Sequence, residues 1–220
     1  MKFSEKFKER LKQLNLYDLI KTWYYKLDWR KPDMVLVNEF LEKNVNRARE
    51  LVDDGTLPKF TGTQDQKMIK ILQWVKSKIK YRSDKKRFGV AEKWQTVDES
   101  LGRWFIEIEN KLHKVHEGFD KPIKYPNAFK CGDCEDGAIL IHSIARANGI
   151  SSYAVRLVAG WVANNGKKEG HCWIEYYPDE YLAKIPYTLD WCYWYDSSNF
   201  NKRIAKDKTK YLSNWFRVTA

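Results

Sequence analysis

Cys131-Gly132-Asp133-Cys134-Glu135-Asp136-Gly137-Ala138 opens the apolar run Ile139 to Gly149. The junction between this acidic turn and the apolar segment decides how the rest of the chain is read. Asp133 is a favourable N-cap, Glu135 and Asp136 are first-turn acids, and Ala138, Ile141 and Ala145 continue at helical spacing the face that bears Cys134 until Gly149 ends the helix. A thiol in the first turn lies against unpaired backbone N–H groups and the positive end of the helix dipole, and both favour thiolate. Downstream, Gly170-His171-Cys172-Trp173 offers an imidazole that can take the thiol proton and return it to a leaving amine.

The elements around that junction fall into two groups. Upstream the period is helical: Phe3, Phe7, Leu11 and Leu14 form one stripe, and a second helix starts at Asp33 and runs toward Asp53-Asp54-Gly55. After a loop from Thr56 to Thr63, Met68, Ile71, Leu72, Val75 and Ile79 form a core-facing stripe. Thr96-Val97-Asp98-Glu99 is a capping box that predicts a helix carrying Leu101, Trp104, Phe105, Ile108, Leu112 and Val115. On this reading His113, His116 and His142 all sit on helices, as structural or solvated side chains. Beyond Gly149 the period becomes two, giving strands at Tyr153 to Val162, Cys172 to Tyr177, Ile185 to Tyr195 and Tyr211 to Val218, with Asn164-Asn165-Gly166 as the first turn. Helices followed by neighbouring strands predict an α+β fold with helices packed on an antiparallel sheet. The chain divides into an N-terminal helical extension over 1–60 and a catalytic domain over 61–220.

Composition narrows the function. The 220 residues suffice for a full core, and no apolar run approaches the roughly 20 residues of a membrane span. The start Met1-Lys2-Phe3-Ser4-Glu5-Lys6 is charged where a secretory leader would be apolar, so the expectation is a cytoplasmic protein with no membrane partner. Four cysteines, all between positions 131 and 192, mark a site rather than a disulfide framework. The net charge of +11 favours acidic partners, yet 40 basic residues interleave with 29 acidic ones, the pattern of a solvated face.

A thiol and an imidazole need a third group to orient the ring. Asp190 and Asp196 compete for that role. If Cys172 to Tyr177 pairs antiparallel with a strand beginning near Ile185, the residue opposite His171 falls near 190, which favours Asp190.

Gly-Asp-Cys-Glu-Asp-Gly-Ala opening a helix, Gly-His-Cys-Trp-Ile-Glu on a strand and Leu-Asp-Trp on the next resemble, in this order, the transglutaminase-like superfamily. Within it, the branch the chain looks most like is that of the bacterial transglutaminase-like cysteine proteinases. Ile79-Lys80-Tyr81-Arg82-Ser83-Asp84 and Trp94-Gln95-Thr96-Val97-Asp98-Glu99 are similar to the segment those proteins place before the nucleophile, and the resemblance covers about residues 64 to 196. It implies a papain-like core with Cys134 as nucleophile, His171 as base and Asp190 as orienter. The reaction it implies is hydrolysis or transfer of a peptide or protein amide through an acyl-enzyme thioester. It requires no cofactor, but it brings calcium to Asp133, Glu135 and Asp136, where the residues alone read as a capped helix start. The long connection between Trp94 and Cys131 counts against Gln95 as oxyanion donor. It leaves the backbone N–H of Cys134, with a side chain of the Tyr125-Pro126-Asn127 loop as a second donor.

Two other classes compete. Cys131, Cys134, His171 or Cys172, and Cys192 could ligate structural zinc, although an apolar helix and aromatic strands are an unusual setting for it. A noncatalytic basic module could bind nucleic acid or protein. Trp23, Trp74, Trp104 and Trp173, however, fall on or beside apolar faces, and no lysine run sits among exposed aromatics, so nucleic acid ranks below the enzymatic reading.

Overall fold

The computed structural model describes residues 37–90, 92–119, 123–178, 186–193 and 210–220. The stripe Phe3 to Leu14, the start of the second predicted helix, Trp23 and Asp196 lie outside the described residues.

Helix α1 (Val37–Asp53) and helix α2 (Gln64–Lys78) carry the expected apolar stripes. In α2 a capping box joins Thr63 and Gln66, so two backbone N–H groups without intrahelical partners are satisfied by side chains. The chain then forms β1 (Ile79–Tyr81), the one-turn helix α3 (Asp84–Phe88) and α4 (Val97–Gly102). Thr96 and Glu99 make the predicted capping box at the start of α4.

That helix is short, which corrects the sequence expectation. Trp104 to Val115 is not helical: β2 (Trp104–Ile108) and β3 (Lys111–His116) form an antiparallel hairpin, and His113 and His116 lie on a strand. Glu109 and Asn110 have φ of 50° and 62°, the paired left-handed conformation that a tight hairpin turn needs, and this folds the segment back before a second helical turn can form.

Strand β4 (Lys130–Gly132) pairs parallel with β1 and delivers the chain to α5 (Cys134–Ala147). Residues 135 to 145 of α5 are all buried, so the helix is enclosed on every side rather than along one stripe. Four strands follow: β5 (Val155–Asn164), β6 (Lys167–Tyr176), β7 (Tyr187–Leu189) and β8 (Tyr211–Val218). They form one antiparallel sheet in the order β7-β6-β5-β8. Asn165 and Gly166, with φ of 49° and 75°, make the predicted turn between β5 and β6. The fold is therefore α+β with helices against an antiparallel sheet.

One core joins these layers. Val37, Leu41 and Leu51 of α1 share a cluster with Ile139 and Ile141 of α5 and with Leu157 and Ile174 of the sheet. Helix α1 falls on the 1–60 side of the expected boundary, yet its apolar face belongs to this core. Asn44 accepts the Val97 N–H at 2.7 Å and Arg47 pairs with Asp98, so α1 also fixes the start of α4. Among the described residues, no helix is long and apolar enough to cross a membrane.

Candidate active site

Cys134 is the first residue of α5, and β4 followed by the N-cap Asp133 leads the chain directly into it. Its carbonyl accepts the Trp191 Nε1–H at 3.2 Å, which ties the helix start to the segment following β7. His171 lies mid-strand on β6, opposite Gly160 of β5. Cys134 and His171 line the same cavity, of about 540 Å³, together with Glu92, Trp94, Trp215 and Phe216.

Asp190 follows β7 directly, and its Oδ2 lies 2.6 Å from His171 Nε2. A buried carboxylate can only accept here, so this bond puts the ring proton on Nε2 and leaves Nδ1 as the basic nitrogen. Asp190 Oδ2 also accepts the Tyr211 hydroxyl at 2.7 Å, and Oδ1 accepts the Cys192 N–H at 3.0 Å. Trp173 stacks beside the imidazole at 6.2 Å, and Tyr211 packs on Trp173 at 4.8 Å. Sequence reasoning missed Tyr211, because only the pairing of β8 with β5 brings it to Asp190.

Around the sulfur, burial opposes the thiolate that the helix dipole favours. Cys134 Sγ donates to Glu135 Oε2 at 3.2 Å, and no hydrogen bond joins it to the His171 ring. Burial, and next the charge of Glu135, push the thiol well above its ordinary range. Glu135 is itself pushed up to about 10 by burial and by Asp133 and Asp136. The dipole of one helix end is worth at most about 2 kcal/mol, too little to offset removing sulfur from water beside carboxyl groups.

The acids around Cys134 have a partner the sequence did not reveal. Arg87 Nη2 lies 2.8 Å from Asp84 Oδ1, 3.0 Å from Asp133 Oδ1 and 2.8 Å from Asp136 Oδ2, with its side chain fully buried. Burial would depress this guanidinium, and Asp136, Asp133 and Asp84 more than compensate. Asp136 also accepts Gln95 N at 2.7 Å and Gln95 Nε2 at 2.8 Å, and it reaches back to Asp133 N at 3.2 Å. Burial, partly offset by Arg87, raises its carboxyl to about 7. Gln95 therefore spends its amide on Asp136 and on the Cys131 carbonyl, and it is not among the residues that line the thiol cavity. Tyr125 and Asn127 do not line that cavity.

For calcium, Asp84, Asp133, Glu135 and Asp136 each offer an oxygen within 4.8 Å of the others. A guanidinium nitrogen already stands among three of them, so the donor set fits the ion only if Arg87 is displaced. For zinc, the expected set is not gathered. Among the described residues the two groups of possible metal ligands are this acidic one and His171, Asp190 and Cys192; Cys131 and Cys134 belong to neither. Cys172 lines the thiol cavity, and the fully buried His142 lies inside α5, away from it.

No curated protein matches the chain. A family model does, over a span that begins within β2 and ends beyond β6, so it includes Cys134 and His171 and stops before Asp190. At the level of the family this match points to thiol-dependent acyl transfer or hydrolysis. Residues 106–183 of this chain match the transglutaminase-like superfamily.

Proposed function

We propose that this protein is a thiol-dependent amide hydrolase or acyl transferase of the cysteine protease or transglutaminase type, with Cys134 as nucleophile, His171 as acid–base and Asp190 as the group that orients the ring. The observation that carries the reading is the 2.6 Å bond between His171 Nε2 and Asp190, made beside the cavity that Cys134 also lines. That bond leaves Nδ1 able to take a proton.

In the first half-reaction His171 Nδ1 removes the Cys134 proton as the sulfur attacks the carbonyl carbon of a peptide or protein amide. The backbone N–H of Cys134, in the first turn of α5, stabilises the developing oxyanion. Collapse breaks the C–N bond, and the imidazolium gives its proton to the departing amine. In the second half-reaction His171 takes a proton from water or from an acceptor amine, which attacks the thioester; the C–S bond breaks, acid or new amide is released, and the imidazolium returns its proton to the Cys134 sulfur. The sulfur starts protonated and bonded to Glu135, so proton transfer to His171 accompanies substrate entry rather than preceding it.

Arg87 supplies the charge that balances the acids at the helix start, the part calcium plays in the resemblance, and no step passes through an ion. All four cysteines are free, which suits a cytoplasmic, reducing setting.

The test is acylation by p-nitrophenyl acetate, read by intact mass. One acetyl group on Cys134 with release of nitrophenolate is expected, absent in Cys134→Ala and slowed in His171→Ala. Adding glycine methyl ester distinguishes the acceptors, since transfer makes the acetylated amine and hydrolysis does not. Equal labelling of Cys134→Ala would sink the proposal.

A further inference from the structure

Away from the thiol cavity, residues of α2, β1, β2 and β4 enclose a second cavity of about 650 Å³. Its charged lining is all basic. Lys76, Lys78, Lys80 and Lys130 line it, and no Asp or Glu is among its described lining residues. Three of these ammoniums lie over an aromatic ring: Lys78 is 5.8 Å from the Trp74 centroid, Lys80 is 4.4 Å from Phe129 and Lys130 is 4.9 Å from Trp104.

Among the described residues Lys93 pairs with Glu99 and Lys114 with Glu117, whereas Lys78, Lys80 and Lys130 have no ion pair. A ring face holds a cation far less strongly than an anion does when the site is partly shielded from water. Lys130 shows the consequence: it is half-buried, and burial, then the charge of Lys78, push its ammonium below the ordinary lysine range. Three like charges converge here without a described counter-ion.

We propose that this cavity binds a nucleotide. The phosphate would draw Lys78, Lys80 and Lys130 off the rings, and the faces of Trp74, Trp104 and Phe129 so uncovered would receive the base. The combination selects for both halves of the ligand, since an inorganic anion leaves the rings idle and a nucleoside leaves the lysines unpaired. The sequence gives no linear sign of it, because the residues come from 74–80, 104 and 129–130 and meet only when β4 pairs with β1. This site is separate from the thiol cavity and does not depend on the proposed catalysis.

The test is tryptophan fluorescence of the full chain titrated separately with AMP, inorganic phosphate, adenosine and a short oligoadenylate. AMP is expected to bind saturably, at least about tenfold more tightly than phosphate or adenosine alone. Lys80→Ala with Lys130→Ala should weaken it about tenfold or more, whereas Lys85→Ala with Lys86→Ala, which removes the same charge from α3, should not. Lys80→Gln, at an exposed position, gives the same reading if the double variant fails to fold. Tighter binding of the oligomer with the same lysine dependence identifies a strand as the source, and tighter AMP identifies free nucleotide. Absence of saturation at millimolar AMP, phosphate binding as well as AMP, or equal loss in both double variants overturns the proposal.

Discussion

The Tyr211 hydroxyl donates to Asp190 Oδ2 at 2.7 Å, the same oxygen that His171 Nε2 reaches at 2.6 Å. Asp190 thus meets three donors in a buried setting, and its Oδ2 is shared between the ring and the phenol. Burial and the Asp190 charge hold the phenol protonated far above neutral pH, so Tyr211 stays a donor throughout the working range.

Tyr211→Phe keeps the packing on Trp173 and removes only that donor. Asp190 then acts more strongly on the imidazolium. The acid limb of Cys134 acylation should move up by about half a pH unit, and the rate on that limb should fall by up to about threefold. Asp190→Ala, which frees the ring, should cost about a hundredfold or more. A pH–rate profile of acetyl-enzyme formation reads both, and an unchanged profile in Tyr211→Phe would reduce Tyr211 to packing.

Arg87 separates the two accounts of the acidic cluster. Arg87→Ala leaves Asp84, Asp133 and Asp136 buried without their cation, at a cost of about 3–5 kcal/mol, or at least about 6 °C in Tm. Millimolar calcium should leave the wild-type Tm within about 1 °C and raise that of the variant, where the ion can enter the vacated place. A rise of several degrees in the wild type would return the cluster to calcium.

How far the sequence could be read depends on how local each signal is. The start of α5, the turn at Asn165-Gly166 and the caps at Thr96 and Asp133 are set by neighbouring residues, and they were legible. The order Cys134, His171, Asp190 was legible as a motif, and the pairing of Ile174 with Leu189 puts Asp190 beside the ring. The hairpin β2–β3 was not, because Leu101, Trp104, Phe105, Ile108 and Leu112 satisfy a helical period as well as a strand one. Only the left-handed pair Glu109-Asn110 separates the two readings, without the glycine that usually marks such a turn. Arg87 and Tyr211 were invisible for another reason. Each meets its carboxylates through strand pairing and helix docking, which no spacing along the chain encodes.

The buried His142 works against the fold as pH falls. Complete burial, with Arg146 nearby, lowers its ring to about 3, while the unfolded ring titrates near 6.5. Between those values the unfolded chain binds a proton that the folded one refuses. The stability His142 confers is therefore full above about pH 6.5 and drains as pH falls toward 3, on the order of 4 kcal/mol in all. The raised Asp136 and Glu135 work in the opposite sense, since the folded state keeps protons that the unfolded one releases. Between pH 7.5 and 5 that opposing gain exceeds the loss at His142, so the ring is read by difference: urea melts at the two pH values should show His142→Leu gaining on the wild type by about 2 kcal/mol as pH falls. An equal change in both proteins would show that His142 does not contribute to the pH dependence.

Gly137 tests whether the seat of Cys134 is as tight as it looks. In an exposed helix, Gly→Ala would stabilise by about 1 kcal/mol. Here an added Cβ would overlap Cε2 and Nε1 of the Trp191 indole, the ring that donates to the Cys134 carbonyl and packs against Tyr81. Trp191 is buried and cannot turn away without breaking that bond, so overpacking, at about 1–3 kcal/mol, outweighs the helix gain. Gly137→Ala should therefore lower Tm by a few degrees and slow Cys134 acylation more than it lowers stability, because the displaced indole moves the backbone that carries the sulfur. A variant with raised Tm and unchanged acylation would show that Trp191 yields freely and that the helix start is held by the Arg87 network alone.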